Sequence, residues 1–160
     1  MNANSDDPSA DGVEGPGLVG EPSGADDRTG LLRLSLDECV ERLESTTVGR
    51  IVFVEDGQPL ALPVNYAWFD GSVVFRTGEG QKLHAATVGQ TVAFEIDSID
   101  EARHVGSSVI VKGTAREIVD WAEQEQLEQL PVRPWQRQPW RRGWVRIEPT
   151  AITGRKLDLS

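Results

Sequence analysis

Two periodicities divide the chain. Leu36, Cys39, Val40 and Leu43 recur at the 3–4 residue spacing of one helical face, so a short amphipathic helix is predicted there. Ser35 stands before it with Glu38 three residues on, the pattern in which each side chain satisfies the other's backbone amide and starts a helix. From Val48 the period drops to two. Val48 to Val54 reads as a strand, Glu55 to Gln58 as a turn, and Pro59 to Phe69 as a second strand. In that second strand Leu60, Leu62, Val64 and Tyr66 share one face, and Ala61, Pro63, Asn65 and Ala67 the other. Asp70-Gly71 closes a hairpin to a third strand, Ser72 to Thr77. Lys82 to Val88 reads as a short helix and Thr91 to Asp97 as a fourth strand. An acidic loop, Asp97 to Glu101, leads to a long extended run over Ser107 to Val119, with Gly113 as a bulge or bend. Asp120 with Glu123 repeats the capping pattern, placing a helix over Trp121 to Leu130 that Pro131 stops. A last strand, Gly143 to Ile147, ends at Pro149, and Ala151 to Leu157 follows as an extended tail.

Short strands without regular alternation with helices predict a mainly β fold, an antiparallel sheet curled into a barrel rather than a doubly wound parallel sheet. The chain of 160 residues fits one domain, and its 38% hydrophobic content suffices for a core if part of the chain stays outside it. Residues 1 to 30 are that part: rich in Gly, Pro, Ser and acids and free of aromatics, they read as a disordered tail ahead of a domain over residues 31 to 160. The tail holds seven acids and one base, −6 of the formal −10, which leaves about −4 on the domain. A mildly acidic domain without a basic stripe excludes nucleic acid as a partner. No apolar stretch is long enough for a membrane span, and no secretory signal opens the chain, so a cytoplasmic location is expected. The one cysteine, Cys39, reads as a small core residue. It lies far from His84 and His104, and no metal site is expected.

The chemistry concentrates in Arg76-Thr77-Gly78-Glu79-Gly80-Gln81-Lys82-Leu83, where a strand gives way to a helix through a glycine-opened basic turn. Arg76 offers a planar fork of donors, Thr77 a hydroxyl and Lys82 a second cation near a helix start, a combination suited to phosphate. The plain alternative is surface ion pairing of Arg76 and Lys82 with Glu79 or Glu95. The turn joins antiparallel strands and has the spacing of neither a P-loop nor a dinucleotide fingerprint.

Several strings in order, Gly49-Arg50, Pro63-Val64-Asn65-Tyr66, Phe75-Arg76-Thr77 with Gly80-Gln81-Lys82-Leu83, Val92 to Asp97, Trp144 to Pro149 and Ile152-Thr153-Gly154-Arg155, resemble the pyridoxamine 5′-phosphate oxidase-like flavin-binding split barrels over about residues 32 to 157. The resemblance implies a six-stranded antiparallel split β-barrel with short flanking helices and a homodimer with FMN in the groove between subunits. It also implies a phosphate held by Arg76, Thr77 and Lys82, and a flavin ring or ribityl chain hydrogen-bonded by Asn65. Pro63 and Val64 would line the ring's flat side, and Trp144 and Arg146 of the opposite subunit would pack near it. The chain departs from the family pattern in two places. Gly106-Ser107-Ser108 stands where many relatives have Gly-Trp-Ser, removing an aromatic wall, and the Arg-x-His of the true oxidases is absent, which argues against pyridoxamine phosphate as substrate.

The resemblance thus implies an FMN-dependent oxidoreductase acting on a small organic molecule. A flavin carries its own redox chemistry, so no acid, base or nucleophile need show in the sequence, and no catalytic residue is assigned. The competing readings are a deazaflavin-dependent reductase and a non-catalytic barrel that binds flavin or haem.

Overall fold

The structure, a computed structural model, describes residues 19–20, 24–25, 31–78, 82–133 and 142–157. In chain order the elements are β1 (Val19–Gly20), β2 (Gly24–Ala25), β3 (Leu32–Arg33), α1 (Leu36–Ser45), β4 (Val48–Glu55), β5 (Gln58–Phe69), β6 (Ser72–Gly78), α2 (Lys82–Thr87), β7 (Thr91–Asp100), β8 (Val105–Ile118), α3 (Trp121–Glu128) and β9 (Arg142–Leu157). Strands β4, β5, β6, β9, β8 and β7 pair in that order, each antiparallel to the next, and β7 returns to β4. The ring is the six-stranded barrel expected from the sequence.

Closure rests on β9. One edge pairs with β8 from Trp144 to Leu157, while the other meets β6, then β1, then β3. The sequence reading ended this strand at Pro149, but it runs on to Leu157, 16 residues in all. The register steps there, from Lys112↔Ala151 to Gly113↔Pro149, leaving Thr150 as the extra residue. A proline lacking an N–H is tolerated at such a bulge. The acidic loop also shrinks. Asp97 to Asp100 pair with Val105 to Ser108, so β7 runs on and only residues 101–104 turn.

Ile51, Phe53, Val64, Tyr66, Phe75, Phe94, Val111, Val145 and Ile147 fill the barrel. Helix α1 begins at the expected reciprocal cap between Ser35 and Glu38, and it turns Cys39 and Leu43 inward. It packs where β8 begins and β9 ends, with Leu34 donating its amide to Gly154 O and Cys39 seated against Gly154. Helix α2 packs where β8 ends, Val88 bridging to Ala115. A second apolar cluster lies outside the barrel: Leu127 of α3 and Val132 cover Val74, Ile118 and Trp144. At Asp120 only half of the expected cap forms. The Asp120 carboxylate accepts from the Glu123 amide, while the Glu123 side chain is drawn to Arg146.

Of residues 1 to 30, only four are described, and they lie on the sheet. Val19–Gly20 pair in parallel with Ala151 and Ile152, and Gly24–Ala25 with Arg33 and Leu32. The rest of the expected tail lies outside the described residues, as do Glu79, Gly80 and Gln81. Among the described residues no helix is long and apolar enough to cross a membrane.

Two outcomes follow from this packing. A methyl at Gly113 meets the Glu148 carbonyl oxygen, a backbone obstacle that cannot swing away. Gly113→Ala should therefore cost about 2–3 kcal/mol in a urea titration. The second concerns Tyr66, whose hydroxyl donates to Leu43 O at 2.7 Å beneath α1. Burial pushes it up to about 12 from an ordinary value of 10.0. The neutral phenol is thus favoured by folding, and its contribution is complete below the unfolded value and lost as pH rises through the folded one. Stability should fall by about 2–3 kcal/mol across that interval, and Tyr66→Phe should flatten the alkaline limb of the profile.

Candidate functional site

Of the phosphate turn read from the sequence, Arg76 and Thr77 point apart, and Glu79, Gly80 and Gln81 lie outside the described residues. Because β6 continues through Gly78, Arg76 and Thr77 are successive strand residues and leave on opposite faces. Thr77 is buried, its hydroxyl 3.1 Å from His84 Nδ1. His84 is no solvated surface group. Its Nε2 lies 3.6 Å from Glu117, and with Thr77 the three side chains form a polar plug beside Gly143. Lys82 opens α2. Val64 is likewise turned inward, 6% exposed in the barrel core. Strand alternation thus places its side chain opposite Pro63 and Asn65, away from any ligand on the outer face.

Asn65, Arg76, Trp144 and Arg146 lie on the outer surface of the barrel, with Trp144 and Arg146 beside Arg76 of their own chain, where the resemblance implied the opposite subunit. Val48 pairs with Asn65, Arg76 with Trp144, and Trp144 with Ile118, so these positions form one transverse row across the sheet. Arg146 lies two residues beyond Trp144 on the same face, opposite Val74. Pro63 is exposed on the Asn65 side, paired with Arg50. Arg76 lies over the Trp144 ring, its guanidinium carbon 4.8 Å from the centroid, within range of cation–π attraction. Trp144 is 2% exposed, and burying such a ring supplies about 2–3 kcal/mol.

Helix α3 and the residues after it supply partners that the sequence reading missed. Glu128 Oε1 accepts from Arg76 Nη2 and, at 3.1 Å, from Trp144 Nε1. Arg146 Nη2 pairs with Glu123 at 2.6 Å, with Asp70 at 3.8 Å from the other terminal nitrogen. Asn65 donates its amide to Arg133 O. Arg76 thus pairs with Glu128, while Glu95, with Asp97, holds Arg50 across β4 and β7; Glu79 lies outside the described residues. The signal was weak in sequence because Glu123 doubles as a plausible cap and Glu128 carries no local pattern. Despite these pairs, Arg76 Nε and Arg146 Nε are buried without a hydrogen-bond partner among the described residues. Two oriented donors on one face remain for an acceptor.

A second concavity, of about 430 Å³, opens between α1 and the β7–β8 turn region, lined by Glu41, Arg42, Thr46, Asp97, Ser107 and Ser108. Arg42 Nε donates to Ser107 Oγ at 3.3 Å. The position where many relatives carry tryptophan is therefore a hydroxyl wall, and none of the expected cofactor residues lines it. Burial raises the Cys39 thiol above its ordinary value, consistent with a packing residue rather than a nucleophile.

Comparisons with known proteins place this geometry. The sequence pattern of the pyridoxamine 5′-phosphate oxidase family matches residues 35–156. An uncharacterized protein of Mycobacterium tuberculosis, Rv0080, is 35% identical over 132 residues, covering 79% of this chain and 86% of its own. The FAD binding protein of Mycobacterium smegmatis superposes with a TM-score of 0.68 at 38% identity, over 79% of this chain and 99% of that one. A conserved protein of unknown function from Corynebacterium diphtheriae superposes at 0.67 with 28% identity, over 80% and 98%. A closed six-stranded ring, an outer-face cluster on β5, β6 and β9, and a family pattern spanning both lead to one assignment: the chain belongs to the pyridoxamine 5′-phosphate oxidase family.

Proposed function

We propose that this chain binds a flavin nucleotide on the outer face formed by Asn65, Arg76, Trp144 and Arg146, and that it is a flavin-dependent oxidoreductase acting on a small organic substrate. The observation that carries the reading is the Arg76–Trp144 contact with its neighbouring Arg146, two guanidiniums that each keep a buried donor in reserve. These residues fit the cofactor: guanidiniums suit its phosphate, and planar groups suit its ring. Lys82, at the start of α2, is the further phosphate ligand in this reading. A bound flavin supplies the electron transfer, and the protein's part is to hold the ring, neutralise the phosphate and exclude water. FMN is the cofactor that the chain's motifs imply. FAD is the second reading, favoured by the M. smegmatis relative that binds it. Pyridoxamine phosphate is disfavoured as substrate because the Arg-x-His of the true oxidases is missing from the sequence.

A homodimer belongs to the proposal. On the outer face of the β4–β5 hairpin Val48 and Val54 are exposed to 46% and 62%, an apolar surface that a second copy would cover. Val48 is itself the cross-strand neighbour of Asn65, so the partner would form the far wall of the ligand groove.

The purified protein should carry an oxidised-flavin visible spectrum, and the mass of the ligand released on denaturation decides between FMN, FAD and a deazaflavin; a colourless protein that takes up none of them sinks the reading. Arg76→Ala should weaken flavin binding by about 1.5–3 kcal/mol in a fluorescence titration while the protein stays folded by circular dichroism. Val54→Asp should give a monomer in analytical ultracentrifugation and lose flavin with the dimer. A dimeric, flavin-replete variant would refute this interface.

A further inference from the structure

The side chains proposed to hold the flavin are already engaged, and their partners come from one segment. Glu128 and Glu123 of α3 take Arg76 and Arg146, Glu128 also takes the Trp144 N–H, and Arg133 O takes the Asn65 amide. Among the described residues each of these two arginines is matched by a carboxylate, and Asp70 adds a negative charge beside Arg146. A phosphate monoester brought to Arg76 would therefore meet the Glu128 carboxylate at the same guanidinium, and two anions cannot share it without repulsion.

Helix α3 is weakly held. Leu127 is its one fully buried residue among the eight, and Trp121, at its start, is 74% exposed. The ion pairs are thus a substantial part of what docks this helix, with Leu127, Leu130 and Val132 supplying the apolar part. A segment with few buried contacts opens at low cost.

We propose that Glu128 is the specificity-determining residue of the flavin seat. In the free protein it is the counter-ion of Arg76, and a phosphate-bearing ligand takes the seat by displacing Glu128 and, with it, α3. The inference rests on the flavin reading above and deepens it: the seat charges a toll on the phosphate but not on the ring. Phosphate-free flavin, which has no claim on Arg76, leaves the Glu128 pair in place.

The test titrates FMN and riboflavin into full-length apoprotein, wild type, Glu128→Gln and Glu123→Gln, with amide exchange followed by mass spectrometry. Glu128→Gln should tighten FMN about tenfold while changing riboflavin less than about twofold, since a charge-assisted bond no longer competes. Glu123→Gln should act in the same direction more weakly. In wild type, FMN should speed amide exchange over residues 123–129, the reverse of the protection a bound ligand ordinarily confers. An unchanged or lowered ratio of FMN to riboflavin affinity in Glu128→Gln, or slower exchange in α3 on adding FMN, overturns the proposal while leaving flavin binding standing. Failure of every protein to bind FMN overturns the flavin reading and this inference together.

Discussion

Hydrogen bonding of β9 along both of its edges is the constraint on which the molecule depends. With β8 on one side and β6, β1 and β3 on the other, the sheet has no freedom to slide. Alternation then assigns each residue a side. Val73, Phe75, Val145 and Ile147 face in, while Val74, Arg76, Trp144 and Arg146 face out. A slip of one residue would drive two guanidiniums into an apolar interior, which no ligand or ion pair at the surface could offset. The ladder that closes the barrel is therefore also what builds the ligand face.

Local patterns carried most of the fold. The cap of α1, the meander β4–β6 and the pairing faces of β5 are written in short spacings, and the structure has them where those spacings put them. What the spacings miss is set by partners distant in sequence. Pro149 looks like a strand end until Gly113, on another strand, supplies the register step that accommodates it. Arg76 and Thr77 look like neighbours at one phosphate seat until Gly78 is seen to pair with Arg142, which keeps both in the strand and sends them to opposite faces. Glu123 fits a local cap equally well, yet an ion pair with Arg146 across the sheet outcompetes that role.

The candidate site shows the same division. Asn65, Arg76, Trp144 and Arg146 could be named from the chain because each sits in a motif, and the structure gathers them into one patch. Glu128 and the Arg133 carbonyl could not, since a carboxylate in a polar helix has dozens of possible destinations. At the other end of the barrel, replacing an expected aromatic by Ser107 leaves a cleft whose walls are hydroxyls and Arg42. The ligand face and this cleft differ in character, one carrying an indole ring and paired charges, the other Arg42, Glu41, Asp97 and several hydroxyls.

Cys39 gives one more handle on the molecule. The residue is 1% exposed, and its sulfur sits near Leu34, 2.6 Å from where a methyl on Gly154 would be, so no reagent reaches it while α1 stays docked. As the sole thiol in the chain it can be trapped without ambiguity, and its alkylation rate times the excursions of that helix from the barrel end. The molecule thus carries its own clock for breathing at the pole remote from Arg76.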